Sequence, residues 1–257
     1  MSAQTHRSDA RILGERSLQR DHARLAEILS PGMSVLDAGC GSGAITAGIA
    51  RAVGSSGHVL GIDRDEALLD IARQQHAALA NLEFRSADIL AFEGETRFDV
   101  VSAARVLQWI SNPLEAIRRM AGAAKPGGLV IALDYTHEDN TWDPAPPREF
   151  QIFWQAFLDW RRANGWDNRM AEHLPHLFAQ AGLERVETRD SSQTGSRGDS
   201  LWLHVIETLG PSLVAAGYLT EERRLAALEG YSYFIANHLM AQRLAMSTVE
   251  GRTPART

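Results

Sequence analysis

The chain has few of the residues that build a disulfide framework or a nucleic-acid surface. Cys40 is its single cysteine, which excludes an internal disulfide and a metal site made of several thiolates. Acidic residues outnumber basic ones by 32 to 26, and the net charge of −6 argues against nucleic acid or an anionic membrane as a partner. No apolar run approaches the roughly 20 residues that span a bilayer, and no apolar leader is visible at the start. We therefore expect a cytoplasmic protein without a membrane or nucleic-acid partner.

The most informative stretch runs from Val35 to Gly43 and reads Val-Leu-Asp-Ala-Gly-Cys-Gly-Ser-Gly. A short apolar run is closed by Asp37, three alternating glycines follow, and the apolar spacing of residues 44–50 suits a helix. Strand, glycine turn and helix form the first crossover of a doubly wound sheet, whose ligands bind at the carboxyl ends of the strands. Glycines let the backbone approach such a ligand, and the helix N-terminus offers free N–H groups to an anionic part of it.

Two classes of ligand fit this turn. The spacing of Gly39, Gly41 and Ala44 also satisfies the G-x-G-x-x-G/A pattern of nicotinamide and flavin binders. Asp37 argues against them, because its carboxylate repels a pyrophosphate but accepts hydrogen bonds from a ligand ammonium. Asp63 ends a second apolar run about 20 residues past the turn, where an acid accepts both ribose hydroxyls of a nucleoside. An NAD(P)-dependent oxidoreductase therefore stays an alternative.

A second motif, Lys125-Pro126-Gly127-Gly128 before a fifth apolar strand, accompanies the glycine turn. Together the two motifs resemble class I S-adenosylmethionine (SAM)-dependent methyltransferases, and the resemblance runs through roughly half of the chain. It implies a Rossmann-like α/β fold, with a doubly wound, seven-stranded, mostly parallel sheet and an antiparallel final hairpin. It also implies S-adenosyl-L-methionine as the cofactor and methyl transfer as the reaction.

The resemblance further implies a set of cofactor-binding residues that follow the predicted strands. They are Asp37, Gly39, Gly41, Asp63, Arg64, Asp88, Ile89, Ala104 and Arg105. The residues expected against the amino-acid tail of the cofactor are Asp37, Gly39 and Gly41. Asp63 and Arg64 are expected at its ribose and adenine, and Asp88 and Ile89 at the adenine edge. Ala104 and Arg105 are expected at the methionine moiety.

The chain is expected to divide into a lid, a catalytic domain and a cap. Residues 1–30 are predicted to form an N-terminal helical lid, and residues 31–257 the methyltransferase domain. Helical cap insertions are expected at about 137–168 and 195–240, over the edge of the sheet at which the cofactor binds.

The substrate side is predicted from aromatic residues and histidines. A helix over Glu149–Ala163 carries aromatic side chains at i, i+3 and i+4 steps, a pattern that suits a buried core and also a lid over an apolar substrate. Gln108 and Trp109 are expected at the boundary between cofactor and substrate. The residues predicted to bind substrate are Trp109, Trp154, His173 and His204.

The predicted chemistry asks little of the protein beyond alignment of the acceptor, which lowers such barriers by about 7–11 kcal/mol in favourable systems. A general base is needed only where the acceptor loses a proton. His137, which follows the fifth strand, is the first candidate, and Tyr135 is expected to orient the acceptor. No pair of histidines has the spacing of a metal site.

The leading hypothesis is transfer of a methyl group from SAM to O, N or C of a small, partly apolar molecule by in-line displacement. A SAM-binding module that needs a partner is a further alternative. The acceptor, the attacked atom and the oligomeric state are not predicted.

Overall fold

The computed structural model describes Leu13, residues 16–93 and residues 97–255. Its strands, in chain order, are β1 (Ser34–Ala38), β2 (His58–Asp63), β3 (Leu82–Ser86), β4 (Phe98–Ala104), β5 (Ala124–Tyr135), β6 (Thr141–Asp143), β7 (Glu184–Asp190), β8 (Gln193–Gly195), β9 (Ala241–Leu244) and β10 (Met246–Arg252). Its α-helices are α1 (Leu18–Asp21), α2 (Ala23–Ile28), α3 (Ala44–Val53), α4 (Glu66–Gln75), α5 (Pro113–Ala123), α6 (Arg148–Ala163), α7 (Met170–Gln180), α8 (Leu201–Thr208), α9 (Gly210–Ala215) and α10 (Glu221–Asn237). No helix in these ranges is long and apolar enough to cross a membrane.

The main sheet has seven strands in the order β3-β2-β1-β4-β5-β10-β7. The first five of these pair in parallel, whereas β10 runs antiparallel to both β5 and β7. This arrangement confirms the predicted doubly wound, mostly parallel α/β sheet. The chain leaves β1 toward β2 on one side and returns to β4 on the other, so the ligand crevice of such sheets lies at the end of β1.

The sequence of β1 explains its central place. Val35 and Leu36 point to opposite faces of the sheet, and both are fully buried. Val35 packs in the core formed with α3, and Leu36 in the core formed with α5 and α7. Burial of each such side chain contributes about 1.5–3 kcal/mol. A strand that is apolar on both faces requires helices on both faces, which is what the chain supplies.

Residues of both predicted insertions share a separate aromatic core. The inner faces of α6, α8, α9 and α10 meet there, and Phe150 of α6 stacks on Tyr231 of α10 with ring centroids 4.1 Å apart. A small sheet of order β6-β9-β8 lies beside it. This sheet and α9 were not predicted, because strands of three or four residues and a six-residue helix leave little periodic signal.

Several predicted boundaries differ from the structure. The motif Lys125–Gly128 follows the end of α5 and leads into the fifth strand as predicted, but β5 already begins at Ala124 and includes the motif. Lys125 Nζ binds Asp99 Oδ1 at 2.7 Å, and the Thr253 backbone N–H donates to Gly128 O at 3.0 Å. Helix α7 continues through Pro175. The described part of the predicted N-terminal lid consists of the short helices α1 and α2, separated at His22, and much of the lid lies outside the described residues.

Candidate functional site

The glycine turn joins β1 to α3 in a conformation that favours glycine. Gly39, Gly41 and Gly43 have φ of 74°, 54° and 77°, values that L side chains rarely adopt. The Gly39 N–H donates to Ile62 O at 2.7 Å, which holds the turn against the end of β2. A Cβ atom at Gly39 would lie 2.4 Å from Val106 Cγ2, so this position has no room for a side chain.

A cavity of about 230 Å³ opens beside this turn. The structure brings all the predicted cofactor residues to its wall, namely Asp37, Gly39, Gly41, Asp63, Arg64, Asp88, Ile89, Ala104 and Arg105. Trp109, predicted at the boundary between cofactor and substrate, lines it as well. Ser42 Oγ lies in the wall, buried and without a hydrogen-bond partner among the residues that the structure describes. We call this space the cofactor cavity.

Two carboxylates make the part of the cofactor cavity beside the glycine turn acidic, although Arg16, Arg64 and Arg105 line other parts of it. Asp37 is 3% exposed, and Thr46 Oγ1 donates to it at 2.7 Å. Burial raises the pKa of Asp37 to about 7 and the Asp63 charge adds to the rise, whereas the hydrogen bond from Thr46 opposes it. Asp63 accepts from the backbone N–H groups of Gly41 and Asp65 at 2.8 and 3.0 Å. A site of this charge favours an ammonium group over a diphosphate.

Arg105 leaves the end of β4 with φ of 62°, an uncommon value for a residue other than glycine. Its guanidinium is buried: Nη2 lies 3.3 Å from Asp21 Oδ1, and Nε donates to Tyr135 Oη at 2.9 Å. The predicted contact of Arg105 with the methionine moiety therefore competes with a salt bridge to the segment before β1. Sequence reasoning missed Asp21, because no local pattern marks a partner 84 residues away.

A second cavity, of about 110 Å³, adjoins the first. The two share the wall residues Leu13, Arg16, Arg105 and Trp109. The remaining lining residues are Gln108, Tyr135, His137, Phe157, Leu201, Trp202, Val205, Thr208 and Leu209. Most of them come from α6, α8 and the residue after α8 and are apolar, whereas Gln108, Tyr135 and His137 cluster just after β4 and at the end of β5. We call this space the acceptor cavity.

The two predicted catalytic residues lie together in the acceptor cavity. The ring of His137 stacks on that of Tyr135 at 4.8 Å, and Phe157 meets it edge-on at 5.6 Å. His137 Nε2 lies 2.7 Å from Gln108 Oε1, while Nδ1 has no hydrogen-bond partner within the described ranges. Burial lowers the pKa of His137 well below its usual range, and the positive charge of Arg161 lowers it further. The imidazole is therefore neutral at physiological pH.

Three residues predicted to bind substrate do not line either cavity. Trp154 is partly buried and packs against the aromatic core, with its ring edge-on to Trp202 at 4.7 Å. His173 is about half exposed on α7, and its Nδ1 lies 2.6 Å from Asp167 Oδ2. His204 lies on α8, but Trp202 and its neighbours on another face of that helix line the acceptor cavity instead. Residue type alone did not reveal which helix face points inward.

Comparison with known proteins agrees with this geometry. The sequence profile of the Methyltransferase domain family matches residues 29–178. The chain belongs to this methyltransferase family. It is 36% identical over 177 residues to demethylmenaquinone methyltransferase of Staphylococcus aureus strain MRSA252, an alignment that covers 62% of this chain and 70% of that protein. The predicted SAM cofactor and methyl-transfer reaction are thereby confirmed, and the dinucleotide alternative is not retained.

Solved structures share the fold of this methyltransferase. A SAM-dependent methyltransferase from Aquifex aeolicus superposes with a TM-score of 0.54 at 22% identity, covering 72% of this chain and 92% of that one. Phosphoethanolamine N-methyltransferase 2 from Haemonchus contortus, in complex with S-adenosyl-L-methionine, superposes with a TM-score of 0.57 at 19% identity, covering 92% and 52%. At these identities the likeness shows the fold alone.

Proposed function

We propose that this methyltransferase methylates a small, partly apolar molecule that binds in the acceptor cavity. The observation that carries the proposal is the shared wall between the two cavities: Arg105 and Trp109 line both. A methyl group carried at that end of the cofactor cavity lies next to whatever occupies the acceptor cavity. The largely aromatic and apolar wall keeps water away from the reacting atoms, which favours such a transfer.

The chemistry of the acceptor cavity is divided between two ends. The apolar end includes Phe157, Trp202 and Val205. Apolar surface of the acceptor that is buried against it contributes about 25 cal/mol per Å² to binding. Tyr135 and His137 form the polar end, beside Arg105. The preferred acceptor is therefore an apolar or aromatic body that carries its reacting atom on one polar edge.

We assign chemical roles to the polar end. When bound, SAM supplies an electrophilic methyl group on a positively charged sulfur. His137 Nδ1 accepts the proton of the reacting O–H or N–H as the new bond to the methyl carbon forms and the carbon–sulfur bond breaks with its electron pair on sulfur. Tyr135 Oη accepts a hydrogen bond from Arg105 Nε and keeps its own O–H to orient the acceptor. A general base of this kind typically contributes about 10²–10⁴-fold.

The acceptor of the relatives is a starting point for the search. Demethylmenaquinone methyltransferases act, by name, on a quinone. However, five residues that line the acceptor cavity lie beyond residue 178, outside the matched family region, namely Leu201, Trp202, Val205, Thr208 and Leu209. We therefore propose an aromatic hydroxyl compound as the first class to test, with a dihydroxynaphthalene, the reduced form of a naphthoquinone, as one member of it.

The test measures release of S-adenosylhomocysteine by the chain alone, with catechol, 1,4-dihydroxynaphthalene and aniline as acceptors. Val205→Phe fills the acceptor cavity and is expected to raise the acceptor KM or abolish turnover, with unchanged affinity for S-adenosylhomocysteine. Val214→Phe is the matched control, because Val214 packs against the same aromatic core but lines neither cavity. Equal turnover by both variants would contradict the assignment of the cavity. No turnover by the wild type with any of the three compounds would favour a module that needs a partner.

A further inference from the structure

We propose that Arg161 is a positioning residue that fixes the tautomer of His137 through Gln108, and that the acceptor is consequently a molecule that gives up a proton at its reacting atom. This inference rests on the role proposed above for His137. It adds Arg161, which no sequence pattern marked, to Gln108 and His137, which were predicted near the substrate.

Arg161 is the largest fully buried side chain of the described residues, at 0% exposure. Its Nε donates to Asn168 Oδ1 at 2.8 Å, and its Nη2 lies 3.0 Å from Gln108 Oε1 and 3.2 Å from Gln108 O. Its Cζ stands 4.1 Å from the centre of the Trp109 ring. Arginine is almost never buried in this way unless its charge is paired or hydrogen-bonded, because removing the charge from water is costly. Two of the hydrogen bonds of Arg161 go to Gln108, which lines the acceptor cavity.

Arg161 decides which way the Gln108 carboxamide points. A guanidinium only donates hydrogen bonds, so the atom of Gln108 that faces it must be the carbonyl oxygen. The amide nitrogen then faces Arg105 O, at 3.5 Å, and the backbone N–H of Gln108 donates to Asp134 Oδ2 at 3.1 Å. The orientation of a glutamine amide is otherwise ambiguous, and this contact removes the ambiguity.

The orientation of Gln108 in turn fixes the proton on His137. Gln108 Oε1 is an acceptor, so His137 Nε2, at 2.7 Å, must carry the hydrogen. In a neutral ring Nδ1 then holds the lone pair, and Nδ1 is the ring atom left without a partner in the described part of the chain. Asn168 is a second link between Arg161 and His137. Its backbone carbonyl accepts a hydrogen bond from the His137 backbone N–H at 2.7 Å, while its side chain binds Arg161.

The ionisable groups around the ring favour the neutral form. Arg161 on α6 faces it directly, and burial together with that charge holds the pKa of His137 down. Arg105 and Arg16 line the same cavity, and Asp134 and Tyr135 precede His137 on β5. If this neutral imidazole acts as the base proposed above, its buried Nδ1 lone pair serves only an acceptor that has a proton to surrender. Hydroxyl, enol and N–H compounds meet this condition, whereas tertiary amines and thioethers do not.

The first test reads the tautomer directly by nitrogen NMR of protein labelled with ¹⁵N-histidine. The chain has nine histidines, and His137→Asn identifies the signals of this ring. We expect the wild-type ring to be protonated at Nε2 alone, with no dependence on bound cofactor. Arg161→Met should release Gln108 and give a mixture of tautomers. Arg162→Met is the matched control, because Arg162 is the exposed neighbour that pairs with Asp159 and should leave the ring signals unchanged.

The second test is kinetic and uses catechol as the acceptor. Arg161→Met is expected to lower kcat by about 10- to 100-fold with little change in the KM for SAM, part of the total that a general base supplies. Gln108→Glu preserves the shape of the contact if Arg161→Met fails to fold. Its carboxylate is expected to raise the pKa of His137 and move the acid limb of the kcat profile to higher pH. N,N-dimethylaniline and thioanisole, which have no proton to give, should not be methylated.

The outcomes separate this inference from the function on which it rests. A wild-type ring protonated at Nδ1, or an Arg161→Met ring still protonated at Nε2 alone with unchanged kcat, would overturn the positioning role. Full turnover by His137→Asn would remove the general base and with it this whole inference, but would leave methyl transfer in the acceptor cavity standing. Methylation of thioanisole at the rate of catechol would overturn the inferred acceptor class alone.

Discussion

Cofactor binding is expected to expel a proton from Asp37. In the free enzyme, burial raises the pKa of this carboxyl to about 7, and Asp63 adds to the rise. An ammonium group placed against the carboxylate favours its charged form and lowers the pKa again. Binding and deprotonation are therefore linked, so the affinity for SAM or its demethylated product should rise with pH up to about 7 and level off above it.

The size of this effect follows from the two pKa values. If the bound cofactor returns Asp37 to its ordinary value of 3.8, Kd at pH 5.5 is about 30-fold weaker than at pH 8, or about 2 kcal/mol. About 0.8 proton is released per molecule bound at pH 6.5, and about 0.1 at pH 8. Calorimetric titration with S-adenosylhomocysteine in buffers of different ionisation enthalpy measures this number directly.

Asp37→Asn is the matched variant, because it keeps the shape of the side chain and cannot titrate. Its affinity should be weaker and independent of pH, with no buffer-dependent heat. Equal proton release by wild type and variant, or none by the wild type, would refute the linkage.

The same substitution should stabilise the cofactor-free enzyme above pH 7. The folded-state pKa is raised, so the stability that protonated Asp37 contributes is complete below pH 3.8 and is lost as pH rises through about 7. The loss amounts to at most about 4 kcal/mol. Urea unfolding of the wild type at pH 5 and pH 8 measures the part of this loss that falls between those pH values. An Asp37→Asn variant no more stable than the wild type at pH 8 would contradict the raised pKa.

Two further predictions concern the supports of the site. Gly39→Ala should cost about 2–5 kcal/mol of unfolding free energy, because its methyl group meets Val106 and its φ is positive. Gly127→Ala, at the same φ of 74° in open space, should cost only about 1–2 kcal/mol, and equal losses in urea unfolding would show that the turn is not tightly packed. Asp21→Ala should lower the free energy of unfolding by about 3–5 kcal/mol, because it leaves the buried Arg105 guanidinium without its charged partner. A loss below about 1 kcal/mol would mark the pair as solvent-screened.

The cofactor side could be predicted from the sequence because its residues are local to strand ends. Asp37 and Asp63 each end an apolar run, and the carboxyl ends of parallel strands meet at one edge of the sheet. Two short patterns therefore place two side chains in one cavity without any knowledge of packing, whereas Asp88 was placed there by the family resemblance. The same logic explains why Tyr135 and His137, at the end of β5, reach the neighbouring cavity.

The acceptor side could be predicted only in part, because its contacts depend on how the cap packs. Arg161 lies 53 residues from Gln108 in sequence, and no spacing rule connects an aromatic helix to a strand end at that distance. His173 and His204 were chosen by residue type, which does not specify the face of a helix. Trp202 lines the cavity where His204 was expected. The two residues are two positions apart on one helix, so their side chains lie on nearly opposite sides of it.

The most direct test of the central claim is a crystal structure of the enzyme with S-adenosylhomocysteine. We expect the homocysteine ammonium within about 2.6–3.2 Å of the Asp37 carboxylate and the ribose hydroxyls within the same range of Asp63. The sulfur should face the wall that Arg105 and Trp109 share with the acceptor cavity. A complex in which the glycine turn holds another group, or in which the sulfur points away from that wall, would contradict the account.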